Sequence, residues 1–90
     1  MGTYSWAIEQ LKRGKKMARK GWNGKKMFIY LVHGSVVPIE KFNQSDKLDF
    51  GTRFVTINPH IDIKTADGSI TCGWVASQTD TMATDWMVVE

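Results

Sequence analysis

Cysteine is almost absent. One residue, Cys72, excludes an internal disulfide framework and any structural zinc site built on cysteines. The two histidines, His33 and His60, stand too far apart to make a metal-ligand spacing. No apolar run approaches the ~18 residues of a membrane span. The longest, Met27 to Val32, has six. The N-terminus, MGTYSWAIEQ, lacks the basic-then-apolar pattern of a secretory signal. Trp6 stands where the myristoylation pattern wants Ser or Thr. A cytoplasmic protein is the expectation. No glycine-rich phosphate loop is present, since Gly21-Trp22-Asn23-Gly24 lacks a Lys-Ser/Thr and a following helical pattern. Internal repeats, low-complexity tracts and linkers are missing as well.

What remains is one small domain of 90 residues. Hydrophobic residues are 42% and charged residues 23%, which places the chain with globular proteins and not with disordered ones. Four tryptophans are many for this length. So small a core leaves some of them for a pocket or an interface.

Charge is divided unevenly. Residues 1–26 carry eight basic residues against one acid, Glu9; residues 27–90 carry four against eight. The basic cluster is Lys12, Arg13, Lys15, Lys16, Arg19, Lys20, Lys25 and Lys26. Such a cluster suits a polyanion or a phosphate-bearing ligand, or simply a solvated face. Opposite signs in the two halves also suit self-association.

Tyr4, Ala7, Ile8 and Leu11 form one helical stripe, capped by Thr3 or Ser5 and stopped at Gly14. A short helix over 5–13 follows. Lys16 to Lys20 reads as a strand, Asn23-Gly24 as a hairpin turn, and Met27–Val32 as a strand apolar on both faces. Residues 33–58 read as a variable loop region, with a short edge strand at Val36–Ile39 and an extended segment at Phe54–Ile57. His60 to Thr65 alternates strictly, Ala66-Asp67-Gly68 turns, and Ser69–Trp74 returns with Ile70, Cys72 and Trp74 on one apolar face. Ser77-Gln78-Thr79-Asp80 has the capping-box form and opens a short helix before a last strand at 85–89. The fold class is α+β: one antiparallel sheet, an N-terminal helix, and a short helix before the last strand.

Chemistry is sparse. Cys72, placed in a strand on an apolar face, reads as an inert core thiol. His60 and Asp62, two apart on one strand face, read as a surface pair or as an acid–base dyad. A binding site reads better. Trp22 in a turn, beside Asn23, Arg19, Lys20 and Lys25, suits a nucleobase with its phosphate, or burial against another subunit. Trp74, Ser77, Gln78, Thr79 and Asp80 form a second cluster. It suits an anion or ribose hydroxyls, or ordinary helix capping.

The segments Arg19–Lys25 with Met27-Phe28, Pro59–Gly68, Gly73–Asp80 and Ala83–Trp86 together resemble the Thoeris anti-defence two family, small phage and prophage proteins formerly described as a domain of unknown function. The match runs over residues 4–32 and 59–90. The resemblance implies a non-enzymatic sponge that binds a cyclic ADP-ribose-type signal from a TIR-domain immune protein and keeps the Thoeris effector silent. It implies a homotetramer with pockets between subunits, and in some members a separate site for cyclic oligonucleotides. Carried to matching positions, Trp22 stacks on a base, Asn23 bonds a base edge or ribose, and Arg19 and Lys25 face the pyrophosphate. Trp74, Ser77, Gln78 and Asp80 form the other wall. No cofactor and no membrane partner are expected. The rival readings are a small basic nucleic-acid-binding module of phage origin, a nucleotide-hydrolysing enzyme using His60 and Asp62, and an adaptor without a small ligand.

Overall fold

The computed structural model describes residues 2–41 and 53–90, with the backbone alone at residues 23–25. Helix α1, Tyr4–Lys12, starts where Thr3 Oγ1 accepts the Trp6 N–H at 3.2 Å. It stops at Gly14, whose φ of 86° lets its N–H turn back to the Leu11 carbonyl. The buried side of α1 is Ala7 and Leu11.

Among the described residues seven strands follow: β1 (Lys16–Arg19), β2 (Phe28–Val32), β3 (Ser35–Pro38), β4 (Phe54–Ile57), β5 (His60–Lys64), β6 (Ile70–Cys72) and β7 (Trp86–Val89). Helix α2, Gln78–Met82, precedes β7. Five strands form one antiparallel sheet in the order β6-β5-β2-β1-β7. The α+β class, the N-terminal helix and the short helix before the last strand are as the sequence leads one to expect.

Register decides which face each side chain takes. Met17 lies opposite Ile29, and Ile29 opposite Ile63. These three, with Ala7 and Leu11 of α1 and with Trp86 of β7, make the core. Trp86 is fully buried at its centre. The opposite face of the sheet carries Lys16, Phe28, Tyr30, Asp62 and Lys64, with Val32, Ile70, Met87 and Val89 around them, by strand alternation, and among the described residues no helix packs there.

Three local expectations change. Asn23-Gly24 does not close a two-residue hairpin; Lys20–Lys25 winds as a 3-10 turn, and β2 begins only at Phe28. The strand expected over Ser69–Trp74 ends at Cys72, because Gly73 takes a φ of 84° and swings the chain off the sheet. Trp74 therefore leaves the face of Ile70 and Cys72 and packs against the core from the helix side, its N–H donating to the Ile61 carbonyl at 2.7 Å. Cys72, expected in the core, is exposed.

Within 33–58, β3 and β4 pair as a separate two-stranded ribbon, with Val37 opposite Val55 and a 3-10 turn at Ile39–Lys41. The region read as a variable loop is thus strand at both ends, and the polar stretch at 42–52 lies outside the described residues. The molecule is long, 45 × 26 × 25 Å.

Candidate functional site

The sequence brings its second tryptophan out of a turn, and the turn geometry decides what it does. The 3-10 winding of Lys20–Lys25 lays Trp22 back on the sheet end, where it is half-buried against the core. The exposed turn indole expected from the sequence is replaced by a member of a cluster. Trp22 meets Trp86 edge-on, with centroids 5.4 Å apart at 79°. It meets Trp74 edge-on as well, at 5.8 Å and 84°. Trp74 and Trp86 close the triangle at 6.2 Å, and Tyr4 of α1 adds a fourth ring 5.4 Å from Trp86. Edge-to-face contacts of this kind satisfy the ring quadrupoles and hold the indoles at fixed angles. Trp22 and Trp74 are both half-buried, so part of each indole remains in solvent, and their planes stand at 84° to make a corner.

Beside the corner lies an arginine held by two carboxylates. Arg19, the last residue of β1, donates from Nε to Asp85 Oδ1 at 3.0 Å and from Nη1 to Asp80 Oδ1 at 3.0 Å. The bonds to Asp85 and then to Asp80 push its pKa up from an already high value. Asp80 is also the acid of the capping box. Its Oδ2 accepts from the Ser77 N–H at 3.2 Å and from the Ser77 hydroxyl at 2.9 Å, while Ser77 Oγ accepts the Asp80 N–H at 3.1 Å. Burial pushes the Asp80 carboxyl up, but the bonds from Arg19 and Ser77 outweigh it and hold the group below the usual carboxylate range. The Asp80 carbonyl takes the Trp86 indole N–H at 2.9 Å. Burial, and then the Asp80 charge, raise the Tyr4 phenol.

The structure therefore gathers Arg19, Trp22, Trp74, Ser77 and Asp80 at one end of the sheet. Gln78 opens α2 beside Ser77, with its side chain exposed. Asn23 and Lys25 lie on the 3-10 turn that carries Trp22, and their side chains are outside the described set. Of the two readings of the Ser77 cluster, the capping box is formed, and its bonds occupy the N–H groups of Ser77 and Asp80. Arg19 answers two carboxylates, so this group of three carries a net negative charge and not a free cation. Asp85, Tyr4 and Trp86 are the members that local pattern did not reveal. Only the pairing of Arg19 with Trp86 across β1 and β7 brings Asp85 to the guanidinium.

His60 and Asp62 do meet, Nε2 to Oδ1 at 3.3 Å, but on the sheet face away from the tryptophans. Asp62 is buried, and the same Oδ1 accepts the Gly73 N–H at 2.9 Å. His60 Nδ1 faces the Asn58 carbonyl at 2.9 Å. The pair pins the turn that releases Trp74 from the sheet. Among the described residues no cluster of three His, Cys, Asp or Glu side chains converges to hold a metal, and no helix is long and apolar enough to cross a membrane.

Fold and corner together define a class of small α+β domains that seat one helix on one face of an antiparallel sheet and cluster tryptophans at its end. A family model, the Thoeris anti-defense 2-like domain, matches residues 2–89. A curated protein of Bacillus phage SP01, Thoeris anti-defense 2, is 40% identical over 95 aligned residues, spanning 97% of this chain and 93% of that protein. The chain belongs to the Thoeris anti-defense 2-like family, and with it to the anti-defence proteins. The family match also takes in residues 33–58, which the resemblance read from sequence segments left out.

Proposed function

We propose that this protein sequesters a cyclic ADP-ribose-type signal made by a TIR-domain immune protein, holds it intact, and so keeps the Thoeris effector inactive. The observation that carries the reading is the Trp22–Trp74 corner. Two indole walls, fixed edge-to-face and open to solvent, offer a flat ligand one face to stack on and a second wall to rest against. Family membership supports the anti-defence side of the proposal.

The proposed division of labour runs as follows. Trp22 stacks on a base. Asn23 bonds a base edge or a ribose. Trp74, Ser77 and Gln78 form the second wall. Asp80 reaches a ribose hydroxyl with the one Oδ1 lone pair that Arg19 and Ser77 leave free, and Arg19 holds that carboxylate in place. Because Arg19 is already paired, the pyrophosphate charge falls to Lys25 and to the exposed Lys20. Binding alone achieves the proposed effect, so no nucleophile, metal or cofactor takes part. The proposed assembly is a homotetramer with pockets between subunits. Val75, which follows Trp74, and Met82, at the end of α2, are 85% and 76% exposed and give a second copy apolar side chains to cover. A separate site for cyclic oligonucleotides belongs to the same reading, as does action in the bacterial host cytoplasm.

Sequestration without chemistry is stoichiometric. With TIR-generated signal in roughly tenfold excess over protein, free signal should fall until the sites are full and then stay constant. Heating the recovered protein should release the ligand unaltered. Continued disappearance after saturation, or release of an altered nucleotide, would replace the sponge with an enzyme. No released ligand would leave the adaptor or nucleic-acid readings.

A further inference from the structure

The face of the five-stranded sheet away from α1 has its own organisation. β2 is the central strand, and its Phe28 and Tyr30 both project from this face. Their rings lie 6.1 Å apart, tilted at 54°. From β1 on one side Lys16 reaches over Phe28, with Nζ 5.0 Å from the ring centroid. From β5 on the other side Lys64 does the same at 5.6 Å, while its Nζ also donates to the Lys26 carbonyl at 3.1 Å. The acid on this face, Asp62, is 5% exposed and already bonded to the Gly73 N–H and faced by His60. By the same alternation Val32, Ile70, Met87 and Val89 stand on this face too, so its centre is aromatic and cationic within an apolar surround.

We propose that this open sheet face binds linear single-stranded nucleic acid, with Phe28 and Tyr30 as the stacking platform and Lys16 and Lys64 as the phosphate contacts. A strand of nucleic acid carries one base per phosphate, and the face offers two neighbouring rings with an ammonium group on either side of one of them, Phe28. Aromatic rings on a central strand accept bases of any sequence, because every base has a π-face. Lysine stems are flexible, so both ammonium groups can shift from the Phe28 ring to the phosphates on either side of a stacked base. Burial, and then the charges of Asp62 and Cys72, raise the Tyr30 phenol, which keeps it a neutral ring and a hydrogen-bond donor. Charge also separates this occupant from a second copy of the chain. Across a two-fold axis through Phe28, the lysines of one copy would face lysines of the other, and like charges in contact oppose such an interface. A polyanion meets the same lysines favourably. The proposal stands apart from the tryptophan corner, which lies on the helix side of the sheet.

The test uses the full chain and a labelled oligouridylate of about twelve nucleotides, read by fluorescence anisotropy. Affinity should fall steeply as salt rises from about 50 to about 200 mM. Phe28→Ala should weaken binding ~5- to ~100-fold. Lys16→Gln and Lys64→Gln, at surface positions that leave the circular dichroism spectrum unchanged, should each reduce the magnitude of the log–log salt slope by about 0.7. Trp22→Ala should leave this binding as it was. The proposal is overturned if the wild-type chain does not bind at the lower salt. It is overturned if binding ignores all three variants, which would assign it to the basic N-terminal cluster, or responds to the lysines but not to Phe28. It is also overturned if the wild type ignores the oligonucleotide while Phe28→Glu dissociates an oligomer, since the face then belongs to a second copy.

Discussion

In Trp22 a proposed ligand contact and a packing contact fall on one side chain. Its solvent edge is one wall of the proposed ligand corner, and its other edges rest on Trp74 and Trp86. From the sequence, an indole in an Asn-Gly turn reads as dispensable for folding. That reading fails because it takes the turn as a tight hairpin, whereas a 3-10 turn of six residues has the reach to bring the ring back to the core. Trp22→Ala should therefore do two things. Loss of a base stack costs about 1–3 kcal/mol, or one to two decades in Kd for the cyclic ADP-ribose-type ligand. Loss of the edge-on contacts should also cost about 1–2 kcal/mol of stability, visible as a melting temperature lower by roughly 4–16 °C. Calorimetric titration and a thermal melt on the same preparation separate the two effects. An unchanged affinity in the folded variant would remove the stacking role. At this scale the sequence was legible for Thr3, Ser77 and Asp80, whose partners lie within three residues. It was silent on Asp85 and Tyr4, whose roles depend on partners brought in by the fold.

Helix α2 has only five residues, too few to persist by its own hydrogen bonds. It is held by the capping box, by Arg19 on its Asp80 side chain and by the Trp86 indole on its Asp80 carbonyl. Asp80 titrates lower in the folded protein than in an unfolded chain. The stabilisation it brings is accordingly complete above the ordinary carboxylate pKa of 3.8 and is lost as pH falls through the depressed value. Acidification should loosen α2 and the Trp74 wall before the core opens, seen as a change in tryptophan fluorescence below about pH 4. Asp67 shares the acid window. The Thr65 hydroxyl, then the backbone and side chain of Ser69, hold its carboxyl at about 2. Because Asp67 lies in the β5–β6 turn, Asp67→Asn should leave the fluorescence change in place, whereas Asp80→Asn should remove it and cost about 1–3 kcal/mol. A fluorescence transition that survives Asp80→Asn would place the acid sensitivity elsewhere. Element by element, α1, the β5 alternation and the capping box were readable because each is a local pattern. The stop at Gly73 was not, since one glycine in an alternating run gives no sign that the chain takes a positive φ there.

At the scale of the molecule, the sequence showed an α+β chain but not how its strands are ordered, because β1 pairs with a strand some seventy positions away. Nor did it show that residues 33–58 contribute a paired ribbon. The apolar stretch Met27–Val32 led to the expectation of a homo-oligomer, and the exposed Val75 and Met82 beside the tryptophan corner give that proposal a location. Sedimentation at micromolar concentration should report a tetramer, and Val75→Asp should shift it to smaller species and weaken ligand capture together. A monomeric wild-type chain would end the proposal of pockets shared between subunits. Finally, the two bonds of Arg19 reach across 66 and 61 residues of chain. Contacts so distant in sequence incur the loop-closure entropy before they return any stabilisation, and folds dominated by them form slowly, in milliseconds to seconds. The tryptophan corner stands beside those contacts, and its own Trp22–Trp74 and Trp22–Trp86 pairs are comparably distant in sequence. It has no existence in a collapsed chain that holds α1, β1 and β2 alone, so the proposed capacity to trap a signal would be acquired in one kinetic event with the closing of the sheet.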